Sequence, residues 1–138
     1  APVLPDLLDQ IASREKIARV TADGAYDTRA CHDAIAARGA VAVIPPRKNA
    51  RLWKPTTDGA KARNDALRTS KRLGRALWRK WSGYHRRSRV EAKMNCIKQL
   101  GQRLMAKALD RQGAEVQIRA AILNRFTALG TPATARVA

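Results

Sequence analysis

The feature that most constrains this chain is a strand–helix–strand pattern within residues 17–45. IARVTA (17–22) and AVAVIP (40–45) are short apolar runs with β-branched residues, a pattern typical of buried strands. The residues between them have helical spacing, with Asp27 predicted as the N-cap of the helix and Gly39 as its C-cap. Two buried strands joined by one helix are expected to run parallel with a right-handed crossover. The pattern therefore predicts an α/β fold.

Further helices are predicted at residues 5–14, 59–80, 84–109 and 113–128. Asp6 and Asp9 are placed on the exposed face of the first of these helices. A polar, basic, Pro-containing loop is expected over 47–57, and Ser82-Gly83 is predicted to interrupt the helical pattern. Gly130 and Pro132 are predicted to end the last helix, so that residues 1–130 form the domain and 131–138 a flexible tail.

The positive charge of the chain is concentrated in one segment. The formal net charge is +17, and residues 47–107 hold 19 Lys and Arg against 3 acidic residues. A field of this strength predicts a polyanionic partner that docks on this segment, with nucleic acid favoured over an acidic membrane surface. No lipidation motif is present, and no apolar run approaches the ~18 residues of a membrane span.

The cysteines and histidines do not form a metal-ligand pattern. Cys31, His32, His85 and Cys96 lack the spacing of a zinc site, and no CxxC occurs. The two thiols are interpreted as reduced and structural.

Glu91 stands alone among cations in SGYHRRSRVEAKMNCIKQLG (82–101). On a helix over 84–108, Tyr84, Arg87, Glu91 and Lys98 form a narrow stripe beside a predicted buried face. The members of that face are Val90, Met94, Ile97, Gly101, Leu104 and Ala108. The stripe is consistent with a solvated face with Arg87–Glu91 pairing. Alternatively, Glu91 is an ionised carboxylate that holds Mg²⁺ while neighbouring cations hold a phosphodiester backbone.

Several stretches resemble one protein family. Tyr84, Arg87, Glu91 and Lys98 match the Y-x2-R-x3-E-x6-K signature of bacterial insertion-sequence DDE transposases, and their context resembles insertion-sequence group five and the related group four. TADGAYDT (21–28) resembles the second catalytic motif of these enzymes. IPPRKNA (44–50) and ILNRFTALG (122–130) are also similar to group-five stretches.

The resemblance implies the C-terminal half of an RNase H-like fold. In that fold 17–22 would be the fourth strand, 40–45 the fifth, and the 84–109 helix would carry Glu91 beside Asp23. The first catalytic Asp and the N-terminal strands are expected to lie upstream, outside this chain. This chain alone is accordingly expected to be inactive.

The chemistry implied by the resemblance is cleavage and strand transfer on double-stranded DNA by in-line attack at phosphodiesters. Asp23 and Glu91 would hold two Mg²⁺ or Mn²⁺ ions. Asp23 is preferred to Asp27 because Asp27 is explained as a helix cap, whereas Asp23 has no evident structural role. A homodimer on paired DNA ends, the bacterial cytoplasm and no membrane are also implied.

The DNA-binding residues expected from the resemblance are Tyr84, Arg86, Arg87, Arg89, Lys98 and Trp53. Tyr84 is predicted either to hydrogen-bond a phosphate or to act as an amphipathic cap at the start of the helix. Trp53 is the candidate for stacking on an unpaired base, while Trp78 and Trp81 are predicted to pack in the core.

Two other functions remain open at this stage. The first is a non-catalytic basic DNA-binding module, and the second is a decayed remnant that does not fold stably.

Overall fold

The computed structural model describes residues 3–130. The predicted tail 131–138, with Pro132, lies outside the described residues. The chain divides into two compact units, Ala1–Arg87 and Ser88–Ala138.

The first unit contains both strands and most of the buried side chains. Its elements are α1 (Val3–Asp9), β1 (Arg19–Thr21), a 3-10 helix (Gly24–Tyr26), α2 (Arg29–Ala37), β2 (Val41–Val43), α3 (Asp58–Leu73), α4 (Arg75–Trp81) and a second 3-10 helix (Tyr84–Arg87). The second unit consists of α5 (Ser88–Gln99) and α6 (Leu109–Leu129). Helices predominate, and the sheet that the structure describes has two strands.

The two strands are parallel, with Val20 opposite Ala42, as the strand–helix–strand pattern predicts. Each strand has three residues, which is shorter than the predicted runs 17–22 and 40–45. The core beside them is formed by Leu4, Leu8, Cys31, Ile35 and Ile44. The apolar pattern therefore predicted the parallel direction of the two strands correctly. The hydrogen-bonded pairing between the strands covers only three residues of each predicted apolar stretch.

α1 is shorter than predicted because another residue takes over its C-terminal carbonyl groups. Arg38 donates from Nη1 to the carbonyl oxygens of Leu8 (3.0 Å) and Ile11 (2.8 Å). These bonds replace the continuing helix expected up to residue 14. Asp6 and Asp9 are exposed, as predicted.

The predicted caps of α2 need correction. The N-cap is Thr28, whose Oγ1 accepts from the Cys31 N–H at 3.4 Å, and the C-cap is Arg38. Gly39 follows the cap with φ of 64°. Asp27 is not the cap, because Arg63, His32 and the Arg47 N–H occupy its carboxylate.

The predicted helix over 59–80 is also divided. α3 ends before Gly74, which has φ of 81°, and α4 begins immediately after it. Thr57 caps α3 by accepting from the Ala60 N–H. A glycine takes this left-handed conformation without the clash that a Cβ would cause, so the break occurs there.

The single helix predicted over 84–109 is wrong. Residues 84–87 form a 3-10 helix, α5 covers 88–99, and 100–108 are not helical, with Gly101 at φ of 142°. The predicted buried face is also wrong, since α5 has no buried residue and Val90 is 61% exposed. α6 begins at Leu109 rather than 113, and its C-cap is Gly130.

The tryptophans of the basic segment differ in burial. Trp78 is 3% exposed, which confirms its predicted core packing, whereas Trp81 is 71% exposed, so its predicted burial is wrong. Within residues 3–130, no helix has the length and apolar character needed to cross a membrane.

Candidate active site

Asp23 lies just beyond the C-terminal end of β1 and opens the first 3-10 helix. Its Oδ1 accepts a hydrogen bond from the Ala25 N–H at 2.9 Å. The expectation that Asp23 has no structural role is therefore wrong, because the side chain caps this helical turn. The side chain is still 42% exposed, so the carboxylate remains accessible.

Arg87 meets Asp23, although the two residues are far apart in the sequence. Its Nη2 lies 3.5 Å from Asp23 Oδ2. Arg19 of β1 donates from Nη1 to the carbonyl oxygen of Ser82 (3.2 Å), which holds the segment before the second 3-10 helix against the strand. The tertiary structure thus brings together one predicted catalytic residue and one predicted phosphate-binding residue.

Tyr84 is half-buried at the start of the same 3-10 helix. Its ring centroid is 6.5 Å from that of the buried Trp78, and the guanidinium carbon of Arg79 lies 5.5 Å from the Tyr84 ring centroid. These contacts account for the apolar part of the side chain. A hydrogen bond from its hydroxyl group to phosphate stays a prediction.

The other predicted site residues are exposed. Arg86 belongs to the second 3-10 helix, while Arg89, Glu91 and Lys98 belong to α5 in the second unit. Glu91 and Lys98 are seven positions apart, which puts them on the same face of α5. The predicted pairing of Glu91 with Asp23 stays a prediction.

Asp27 is the centre of a buried polar cluster that the sequence did not predict. Arg63 donates to both carboxylate oxygens at 3.1 Å, and His32 Nε2 lies 3.2 Å from Oδ1. The Arg47 N–H donates to Oδ2 at 3.2 Å. Asp27 is 5% exposed.

The electrostatics of this cluster keep Asp27 ionised. Burial by itself raises the pKa of the Asp27 carboxyl, but hydrogen bonds from His32 and Arg63, the Arg47 N–H and the charge of Arg63 lower it further than burial raises it. The net result is a pKa well below the usual range. An Asp whose oxygens are all occupied in this way is unavailable as a metal ligand, which favours Asp23.

Trp53 is held over the same cluster. The guanidinium carbon of Arg63 lies 4.2 Å from the Trp53 ring centroid, and the His32 ring meets the Trp53 ring edge-on at 5.5 Å. Asn64 accepts from the Trp53 N–H (2.9 Å) and donates to its carbonyl oxygen (2.8 Å). The ring thus has protein contacts of its own, and stacking on a base stays a prediction.

Both predicted metal ligands, Asp23 and Glu91, are at least partly exposed. Asp23 offers accessible carboxylate oxygen, the donor that Mg²⁺ prefers. Residues 3–130 contain no group of three His, Cys, Asp or Glu side chains that could hold a metal ion. Asp23 is an accessible oxygen donor, and its role as a metal ligand therefore stays a prediction.

A signal for the buried cluster was present in the sequence. Ala60, Arg63 and Leu67 recur at helical spacing on the buried face of α3. An arginine on an apolar helical face is rarely buried unless it is paired, most favourably with a carboxylate. The pattern does not say which carboxylate this is, because Asp27 lies far from Arg63 along the chain.

Comparison with known proteins gives one family match. The family model described as "Transposase DDE domain" matches residues 1–125. No solved structure matches the chain.

Proposed function

Because the chain belongs to the transposase DDE domain family, we propose that it takes part in DNA transposition by metal-dependent cleavage and strand transfer at insertion-sequence ends. Within that family, the chain belongs to the transposases of insertion-sequence group five, which are related to those of group four. Its fold is the C-terminal part of an RNase H-like catalytic domain. The protein acts on double-stranded DNA in the bacterial cytoplasm, as a homodimer.

The observation that carries the proposal is the Asp23–Arg87 pair. An accessible carboxylate at the end of a strand lies 3.5 Å from a guanidinium of the Tyr-Arg-Glu-Lys signature. Arg87 orients this carboxylate through the contact between its Nη2 and Asp23 Oδ2. This arrangement leaves accessible carboxylate oxygen, the kind of donor to which a divalent cation binds.

Asp23 and Glu91 would hold the metal. Two Mg²⁺ or Mn²⁺ ions bound there would supply activation of the attacking hydroxyl group and stabilisation of the leaving oxygen. Arg86, Arg89 and Lys98 neutralise phosphate oxygens, Tyr84 donates a hydrogen bond to phosphate, and Trp53 stacks on an unpaired base. Residues 1–138 alone are expected not to cleave DNA, because residues 3–130 contain no group of three His, Cys, Asp or Glu side chains that could hold a metal ion.

The first test is strand cleavage by the longest polypeptide that the gene encodes. Asp23→Asn and Glu91→Gln should each lower cleavage of a DNA substrate carrying the element's ends by more than about 100-fold, because each removes a metal ligand. Binding of Mn²⁺, followed by electron paramagnetic resonance, should weaken in both variants. Asp9→Asn and Glu15→Gln, at exposed positions, are the matched controls. Cleavage at the control level in either site variant would remove that residue from the site.

A non-catalytic basic DNA-binding module is the second candidate, favoured by the charge of residues 47–107. In that case Glu91→Gln would tighten DNA binding slightly, by removing a negative charge, and change nothing else. Metal-dependent cleavage by the wild-type polypeptide would rule this module out. A decayed remnant would show no cooperative transition in a circular dichroism melt.

A further inference from the structure

The loop between β2 and α3 is long and has no regular secondary structure. It covers residues 44–57. Connections longer than about 12 residues without their own secondary structure are uncommon in compact domains and are usually functional or disordered. This loop is not loose, because buried and half-buried side chains hold its backbone at several points.

Four side chains of α2, α3 and the turn before α2 fix the loop. Asp27 accepts from the Arg47 N–H, and Arg63 donates to the carbonyl oxygen of Arg51 at 2.5 Å. Asn64 bonds both backbone groups of Trp53. Arg29 donates to the carbonyl oxygen of Lys54 at 3.3 Å.

The buried pair at the centre of this arrangement is costly to form. Desolvation of Asp27 and Arg63 offsets much of their attraction, so a buried ion pair is weak evidence for stability. Both partners also hold the loop backbone, at Arg47 and at Arg51. The structural result of the pair is therefore a fixed loop conformation.

The fixed loop carries exposed cations and begins beside the turn that Asp23 caps. Lys48, Arg51 and Lys54 are exposed, and within residues 3–130 their side chains make no hydrogen bond or ion pair. The neighbouring Arg47 donates to the carbonyl oxygens of Gly24 and Ala25, both at 3.3 Å, in the 3-10 helix that Asp23 caps. The loop thus begins against the turn that carries the proposed metal ligand.

From these contacts we propose that residues 47–54 bind the phosphate backbone of the DNA that is cut, with Lys48, Arg51 and Lys54 as the phosphate contacts. Three cations on a loop backbone that is already fixed lose little conformational freedom when they bind the phosphates of a DNA strand. This inference rests on the proposed function, which supplies DNA as the polyanion. The buried Asp27–Arg63 pair then acts as a positioning device for the loop.

The test measures how DNA affinity depends on salt. The full polypeptide is titrated against a short fluorescein-labelled duplex, without divalent metal, at several KCl concentrations. Lys48→Gln/Arg51→Gln/Lys54→Gln should make the negative slope of log K against log [KCl] shallower, by about 0.9 for each phosphate that the loop no longer neutralises. The matched control is Lys61→Gln/Arg68→Gln/Lys71→Gln, which removes the same charge from exposed positions of α3 and should change the slope less.

The outcomes separate this inference from the proposed function. Equal slopes for the loop variant and the control variant would overturn the inference, even if Asp23→Asn abolishes cleavage. A shallower salt dependence of DNA affinity in the loop variant, but not in the control variant, supports the inference, even if no cleavage is ever observed. On the cleaved duplex, phosphate ethylation interference near the cut bond should be lost in the loop variant. Interference that persists in that variant would also overturn the inference.

Discussion

Asp23 and Asp27 occupy opposite environments although they are four residues apart. Asp27 is buried, and each of its oxygens accepts from at least two groups of the cluster. Asp23 uses one oxygen in a helical cap and meets Arg87 with the other, at the surface. One carboxylate therefore fixes the local structure, and the other is available to a ligand.

Replacement of Asp27 by Asn should be strongly destabilising. The change leaves Arg63 buried without its counter-charge, and breaking a buried pair in this way costs about 3–5 kcal/mol. Urea unfolding at about pH 7, followed by circular dichroism, measures the loss. Asp65→Asn, which removes an exposed pair with Arg68, should cost less than about 1 kcal/mol.

The contribution of Asp27 to the free energy of unfolding should also depend on pH. Because its pKa is lower in the folded chain than in the unfolded chain, its stabilisation is complete above the unfolded pKa of about 4. That stabilisation is lost as the pH falls from about 4 towards the folded value. The difference in unfolding free energy between wild type and Asp27→Asn should thus narrow on acidification. A difference that is constant from neutral to acid pH would contradict this assignment.

At the scale of elements, the close packing of α3 on α2 depends on Gly59. A Cβ at this position would lie 2.6 Å from the backbone carbon and oxygen of His32, a distance that backbone atoms cannot relieve by rotating. Since Gly59 is in the first turn of α3, it sets how closely the helix carrying Arg63 approaches the one carrying His32.

Gly59→Ala should therefore destabilise the protein by about 1–3 kcal/mol, as overpacking does. Gly113→Ala is the matched control, because a Cβ there meets nothing within 4 Å. In α6 that change should stabilise by about 0.5–1 kcal/mol through helix propensity. Thermal melts of the two variants should shift in opposite directions, and a stabilising Gly59→Ala would show that α2 and α3 separate easily.

The segment 100–108 in the second unit is another non-helical stretch held by side chains. Arg119 donates to the carbonyl oxygens of Gly101 and Arg103, and Glu115 accepts from the N–H groups of Met105 and Ala106. The Ala106 N–H is the largest influence that lowers the pKa of Glu115, and Met105 and Arg119 add to it against a smaller effect of burial. These bonds explain why α5 does not continue to residue 109.

At the scale of the whole molecule, the two units differ in how much they bury. The first contains the core cluster, whereas neither α5 nor α6 has a buried residue within the described part of the chain. Amide protection depends on the cost of opening, which rises with buried apolar contact. Hydrogen exchange measured by mass spectrometry should therefore be slower in α2 and α3 than in α5 and α6.

This exchange prediction has an internal control. DNA that binds the 47–54 loop should slow amide exchange in that loop. It should leave the difference in exchange rate between the helices of the two units in place. Equal protection of α3 and α6 in the DNA-free protein would mean that the second unit is covered by contacts beyond those described.

Local patterns in the sequence were enough to establish several features of this protein. Parallel β1 and β2 and the exposure of Asp6 and Asp9 follow from apolar periodicity, and the Tyr-Arg-Glu-Lys signature with the Asp23 motif indicated the family. The partners of side chains distant in sequence became known only from the tertiary structure. Asp27 is a capping residue by its position but an ion-pair partner once Arg63 reaches it, and Trp81 follows the same helical pattern as Trp78 yet is exposed. This division arises because propensity and periodicity act over a few residues, whereas burial and charge pairing depend on which elements meet, and a single sequence does not encode that in any local pattern.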